Sequence, residues 1–567
     1  MKHFKSDKFI YSLIIGALFL RLPGVFDGLP AVYNSTEYFL SKITLNMAAH
    51  FSLDPSNYIY PALYNYFLLI IYGIYFFLGL FYGVFPNGYV FAVQFLVDPS
   101  GFYIFARSVN VLISLATVVV IYHFLRRYKG ESLARITAII AVLNLHLIQF
   151  SAFATADTIL VFFSSLSVLS IYRLYHAPSN KNFFFSGLFC GLAIAAKYNA
   201  AVIIIGLIVA HHQIWSLRKT KYSHTALSLL SGIVLGFLIT NPYWLLQPQK
   251  YIEGFQIISQ QMYSAVSLHH GINYLWEIMT LIKNELLLGI LFIISTGFII
   301  WKERKKQLPF ILIVLVAFIY VGSWRKKGID YLFAIFPIWF IFSAIFIQYV
   351  SEHICKKRRT RVILFLLLFA PSTLMACYNA LLHIRMDTRE QVTDWIITFL
   401  DKDSTICYDN THYDLGLFDI DRYISYGKGS MYLPAKVKKY LEAFRDHERN
   451  IKFLPILSED STNVRNVTSS YEIEQSRYRR KTLPELINEK ADYFITNSNY
   501  YQPYLQVSSD EYNPVIRKRI DHVQIFYYYL FANYKPIVVF TPGLWAKGPE
   551  LRIYQLNNDM PGGLKME

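Results

Sequence analysis

The sequence predicts a mainly α, polytopic membrane protein, with about 11 transmembrane helices and outer juxtamembrane helices, followed by a soluble C-terminal domain of α/β or α+β type. Three observations carry that prediction. The 567 residues are 54% hydrophobic and only 16% charged, too apolar for an ordinary soluble enzyme. Long apolar runs recur through the first two thirds of the chain, separated by short clusters of Lys and Arg. From Asp387 onward the long runs stop and charge rises, which divides the chain into a membrane part (1–384, with outer loops 28–101 and 241–285) and an extracytoplasmic part (385–567).

The runs follow in order. Lys2, Lys5 and Lys8 precede Phe9–Val25; no small-residue cleavage site ends that run, so it reads as a retained first helix rather than a signal peptide. Further spans are expected at Phe102–Leu125, Leu133–Phe150, Thr158–Tyr172, Phe183–Ala196, Ala200–Trp215 and Ala226–Ile239. Four more follow at Leu286–Trp301, Leu308–Val321, Tyr331–Val350 and Val362–Tyr378. With the N-terminus inside, the clusters at Arg126–Lys129, Arg173 with Lys181, Arg218–Lys221, Lys302–Lys306 and Lys356–Arg361 all fall on the cytoplasmic side. Arg325-Lys326-Lys327 breaks the pattern by falling outside, either as a solvated helix end or as a cationic subsite for phosphate. Tyr60–Phe85 is apolar enough to span, but one full crossing would invert every later loop. It is therefore expected to lie along the outer face or to enter and return, together with the aromatic stretch to Val97.

In the C-terminal part, Thr388–Leu400 places Val392, Trp395, Ile396 and Phe399 at helical spacing. The pieces "STICYD", "ADYFITN", "KPIVVFT" and "LRIYQL" read as short strands. The formal charge of +16 sits in loops between apolar runs, a topology signal rather than a nucleic-acid footprint. Four scattered cysteines imply no disulfide framework, and no Walker loop, dinucleotide motif or zinc spacing is present.

Acids near the outer ends of membrane helices are costly unless useful, and Glu37 in "YNSTEYF" and Asp157 in "SAFATADTIL" both qualify. Two carboxyls on one side of the membrane suit a base and an orienting or metal-binding partner. Helix capping explains the same residue types, since Ser35, Thr36 and Asp157 are good N-cap residues and Glu37 suits a first turn. Lys197, in "AIAAKYNA", interrupts an apolar run and requires either an internal acid or an anionic ligand. His269 and His270 lie in the outer loop, where hydrogen bonding to substrate or plain loop surface fits better than a metal pair.

The order of "YNSTEYF", "IYPALYNYF", "FARSVNVLISLATVVVIYHFLRRYKG", "SAFATADTILVFF", "GLFCGLAIAAKYNA" and "YLFAIFPIWFIFSA" resembles the GT-C glycosyltransferases. The likeness is to the prokaryotic branch of the protein O-mannosyltransferase and aminoarabinose transferase group, and the tail "DTREQVTDWI", "ADYFITNSNYYQPY" and "KGPELRIYQL" is similar too. That resemblance implies transfer of a sugar, of hexosyl or mannosyl type, from a polyprenyl-phosphate donor to a protein, lipid or glycan acceptor on the outer face of the plasma membrane, with inversion. It also implies an Asp-Glu pair in the first outer loop, where this chain has Thr36-Glu37. Glu37 and Asp157 then stand as the catalytic acids. Lys197, Tyr198, Arg107, Arg325, Lys327, His269 and His270 stand as substrate-binding residues. The late helix, where the family often has an Arg before the Tyr, carries Asp330-Tyr331 instead. No resident cofactor is implied, and a divalent metal on the acids stays open.

Overall fold

A computed structural model describes residues 7–218, 222–264, 273–355, 357–409, 412–425, 435–459, 478–512, 514–543 and 546–556. His269 and His270 lie outside the described residues. The first helices are α1 (Lys8–Val25), α2 (Ser35–Ala49), α3 (Leu63–Phe81), α4 (Gly88–Val97) and α5 (Ser100–Tyr128). They are followed by α6 (Glu131–Leu143), α7 (Leu145–Ser151), α8 (Asp157–His176), α9 (Asn180–Ala196), α10 (Ile203–Arg218) and α11 (Tyr222–Leu238). Among the described residues eight helices are long and apolar enough to cross a membrane, and shorter apolar helices include α4 and Leu287–Lys302.

Local side-chain caps open the first helices, but Ser35, Thr36 and Asp157, read as N-cap residues, lie inside the first turns of α2 and α8 instead. Asp7 accepts a hydrogen bond from the Phe9 N–H to open α1, and Asn34 accepts from the Thr36 N–H at 2.9 Å to open α2. The expected single span Leu133–Phe150 is broken. Asn144 adopts extended backbone between α6 and α7, its side chain accepts from the Leu147 N–H, and the two helices meet at 58°.

Of the two placements expected for Tyr60–Phe85, the one that enters and returns is corrected, because α3 is one continuous helix of 19 residues. Its Tyr64 hydroxyl accepts from Asn110 Nδ2 at 3.0 Å, whereas Tyr72 and Tyr75 meet Phe102 ring to ring at 5.4 and 5.3 Å. The helix thus runs antiparallel to the first part of α5 and carries on past its N-terminus. There Phe91 packs back on Tyr75 and Phe76, and Tyr89 of α4 stacks on Tyr440 of the C-terminal domain.

Helices α9 and α11 run parallel at backbone contact. A Cβ on Gly187 or Gly191 would lie 2.2 Å from the carbonyl oxygen of Leu229 or Ile233, and one on Gly232 or Gly236 would strike Phe184 or Leu188 equally hard. Two G-x-x-x-G stretches face each other, the small-residue contact that lets membrane helices approach without a hydrophobic drive. The contact fixes α9, whose end supplies Lys197.

The C-terminal domain has a mixed five-stranded sheet in the order β2-β1-β5-β7-β6. The strands are β1 (Thr405–Tyr408), β2 (Lys452–Leu454), β5 (Tyr493–Asn497), β6 (Val538–Phe540) and β7 (Leu551–Gln555), with β3 (Leu457–Glu459) and β4 (Tyr478–Arg480) paired separately. β1 is parallel to β2 and β5, and β7 is antiparallel to β5 and β6. All four pieces that read as strands are strands. The helix Thr388–Phe399 opens on a capping box between Asp387 and Glu390 and buries Val392 and Ile396 on the sheet, while Phe399 stays exposed.

Charged and aromatic contacts tie this domain to the loop after α1. Asp27 lies between Lys547 and His383, whose Nδ1 is 2.7 Å from its Oδ2. Tyr33 donates to Glu390 at 3.1 Å, and the Arg389 guanidinium lies 3.4 Å from the centre of the Tyr33 ring.

Candidate active site

A cavity of about 340 Å³ opens where α2, α8, the end of α9 and the loop 323–330 meet. Asp157 reaches it from the first turn of α8, where a carboxylate is favoured by the helix N-terminus. Lys197 is the residue at which α9 ends, its backbone extended and its N–H still bonded to the Ala193 carbonyl. Asp330 comes from the first turn of the 3₁₀ segment Ile329–Ile335, which continues directly into the helix Phe336–His353.

These three side chains form one chain of contacts. Lys197 Nζ donates to Asp157 Oδ1 at 2.6 Å and to Asp330 Oδ2 at 3.0 Å. Thr155 Oγ1 donates to the other oxygen of Asp157 at 2.8 Å, so both oxygens of that carboxylate are engaged. Burial alone would push the Lys197 ammonium down, but Asp157 and Asp330 beside it raise it above its ordinary value. The ammonium already lies between the two carboxylates, so this donor set does not suit a divalent cation, which takes its ligands from oxygens gathered around it.

Lys326 and Lys327 also line the cavity. Their loop is fixed from behind, because the N–H groups of Arg325 and Lys326 both donate to the Met262 carbonyl at 2.9 Å. Lys327 donates to buried Glu277 at 3.1 Å. Burial pushes the Lys326 ammonium below its ordinary value, with Asp330 acting in the opposite sense. Tyr60, Phe150, Tyr198, Phe255, Trp324 and Tyr331 supply an aromatic wall.

Glu37 stands apart from this group. Its side chain is 0% exposed, accepts from Arg107 Nε at 3.0 Å and Nη2 at 2.9 Å, and accepts from the Ala154 N–H as well. Arg107 spends its remaining nitrogen on the carbonyls of Val25 at 3.2 Å and Asp27 at 2.8 Å. Neither residue lines the cavity, whereas Thr36, one position earlier, does. Arg325 likewise turns away, its guanidinium 4.7 Å from the centre of the Tyr512 ring in the C-terminal domain.

Of the residues singled out in the sequence, the fold therefore gathers Asp157, Lys197, Tyr198 and Lys327 at one cavity and pairs Glu37 with Arg107 outside its lining. Sequence reasoning missed the buried Glu285, which accepts from the N–H groups of Leu145 and His146 and from the His146 ring. The signal was the lone acid just before an apolar run, whose partner, the N-terminus of α7, exists only because Asn144 breaks the preceding helix.

The fold is that of a multi-pass membrane protein of the GT-C type. Residues 100–245 match the sequence profile of the dolichyl-phosphate-mannose-protein mannosyltransferases. Among solved structures, ArnT from Cupriavidus metallidurans bound to undecaprenyl phosphate superposes with a TM-score of 0.51 at 11% identity, over 99% of this chain and 100% of that one. The apo form of the same protein gives 0.51 at 12% identity, with the same coverage. The oligosaccharyltransferase of Archaeoglobus fulgidus, in complex with zinc and sulfate, gives 0.48 at 11% identity over 94% of this chain and 72% of that one. No curated protein matches the chain by sequence.

Proposed function

We propose that this chain is a membrane glycosyltransferase of the plasma membrane. It moves a sugar of hexosyl or mannosyl type from a polyprenyl-phosphate donor to a protein, lipid or glycan acceptor on the outer face, with inversion at the anomeric carbon. The N-terminus then lies inside, residues 1–384 form the membrane domain, and residues 385–567 lie outside.

The observation that carries this reading is the Lys197 ammonium held between Asp157 and Asp330 on the wall of a cavity that also holds Lys326. Cations fixed in a partly buried site stabilise charge that develops on a leaving phosphate. The aromatic wall gives faces for a sugar ring and for the first apolar part of a lipid. At about 340 Å³ the cavity lies at the small end of ligand sites, a size that favours a sugar phosphate whose lipid tail lies outside in the membrane. The relative with undecaprenyl phosphate bound supports a lipid of that class.

In this reading Lys197, Lys326 and Lys327 face the phosphate, Tyr198 lines the sugar pocket, and Asp157 orients Lys197. Glu37 and Arg107 act as positioning residues, holding the start of α2 against α5 and the backbone at Ala154. Binding of polyprenyl phosphate to purified protein in nanodiscs tests it. The reading expects saturable binding that Lys197→Met weakens; equal binding to wild type and Lys197→Met contradicts it.

One observation favours a second reading, a homologue that binds lipid-linked sugar without turnover. Thr36 lines the cavity where the family pattern has a carboxylate, and Glu37 is locked on Arg107. Turnover by wild type decides between the two.

A further inference from the structure

Inverting transfer needs a base that takes the proton of the attacking hydroxyl, and the carboxylates around the cavity are not equal candidates. Glu37 is 0% exposed, outside the cavity, with its oxygens held by Arg107 and the Ala154 N–H. The Asp157 side chain is 4% exposed, with one oxygen on Lys197 and the other on the Thr155 hydroxyl. The Asp330 side chain is 21% exposed and lines the cavity. Only its Oδ2 is engaged, by Lys197, which leaves Oδ1 as an acceptor without a hydrogen-bond donor among the described residues. That oxygen lies beside Gly328, where a Cβ would come within 2.5 Å of it, so the glycine keeps room for the carboxylate to turn.

We infer that Asp330 is the catalytic base of this enzyme, and not the first-loop position held here by Thr36. This rests on the glycosyltransferase reading above. The charge arrangement agrees with it: Asp157, Lys197 and Asp330 together carry one excess negative charge, and uptake of one proton makes the trio neutral while Lys197 keeps Asp157 as its partner.

In the step, the acceptor oxygen forms a bond to the anomeric carbon as that carbon's bond to the phosphate oxygen breaks. The hydroxyl proton passes to Asp330 Oδ1. The electron pair of the broken bond leaves with the polyprenyl phosphate, whose added charge faces Lys326.

The test uses the full-length protein in nanodiscs, a panel of polyprenyl-phosphate hexoses as donors and cell-envelope extract as acceptor. Asp330→Asn is expected to lower transfer at saturating donor about 100-fold or more and to abolish the acid limb of the pH–rate profile. Asp330→Glu keeps part of the rate with the acid limb present. Transfer by Asp330→Asn within about threefold of wild type overturns Asp330 as base and leaves the glycosyltransferase reading standing. Wild type that binds every donor and transfers none overturns that reading and the base with it. Should Asp330→Asn fail to fold, Asp330→Glu with an unshifted rate and an absent acid limb overturns the assignment.

Discussion

Replacing Glu37 with Gln separates a framework residue from a chemical one, because the isosteric amide removes the charge and leaves the shape. The structure gives the size of the effect. Arg107 and Glu37 are 2% and 0% exposed and joined by two hydrogen bonds of 2.9 and 3.0 Å. Arg107 keeps its bonds to the Val25 and Asp27 carbonyls, so it stays buried and uncompensated when Glu37 is neutral. Removing one partner of a buried pair costs about 3–5 kcal/mol. Most of that is the stranded charge, so Glu37→Gln combined with Arg107→Gln is expected to recover a substantial part of it. The assay is thermal unfolding of detergent-purified protein for the wild type, both single variants and the double variant, with yield of monodisperse protein beside it. The reasoning predicts a large loss in each single variant and positive coupling in the cycle. Glu37→Gln that melts like wild type and is nonetheless inactive refutes it and places the carboxylate in the chemistry.

Lys197→Met leaves Asp157 and Asp330 facing each other without their shared cation and should weaken polyprenyl-phosphate binding about 10- to 100-fold by direct titration. Gly191→Ala drives a methyl to 2.2 Å from the Ile233 carbonyl and should cost about 1–3 kcal/mol in thermal unfolding, whereas Gly16→Ala, with open space around it, should be neutral. Burial pushes the Asp409 carboxyl up to about 7 from an ordinary 3.8, against the pull of Arg480 and the Tyr527 hydroxyl. The folded chain therefore holds a proton that the unfolded chain has released between those values; the stability from this group is full below about pH 4 and lost as pH rises to about 7. Melting temperature across pH 4–8 should show that fall in wild type and a flatter profile in Asp409→Asn.

Much of the fold was legible because burial in lipid leaves a coarse signal. Runs such as Phe102–Leu125 and Val362–Tyr378 sit inside single helices, since a backbone in hydrocarbon has to satisfy its own hydrogen bonds. Hydropathy does not register a single polar side chain that competes with the helix, so the break at Asn144 was missed. It also does not say what an apolar helix packs against, and α3 could not be placed until its tyrosines were seen on Phe102 and Phe105. The site was legible in part for a similar reason. Asp157 and Lys197 drew notice as charges in apolar surroundings, and they do meet. Glu37 drew notice on the same grounds, but its partner Arg107 lies 70 positions away. Asp330 looked like the loss of a cation, and its contact with Lys197 depends on how the ends of two distant helices converge.

The most direct measurement of the central claim is sugar transfer by purified wild-type protein in nanodiscs, supplied with polyprenyl-phosphate sugars and cell-envelope extract, beside the same protein carrying Asp157→Asn and Asp330→Asn together. The account predicts that wild type moves label from the lipid to an envelope acceptor and releases polyprenyl phosphate, and that the double variant releases none above background. Wild type without turnover on any donor, or a double variant as active as wild type, contradicts it.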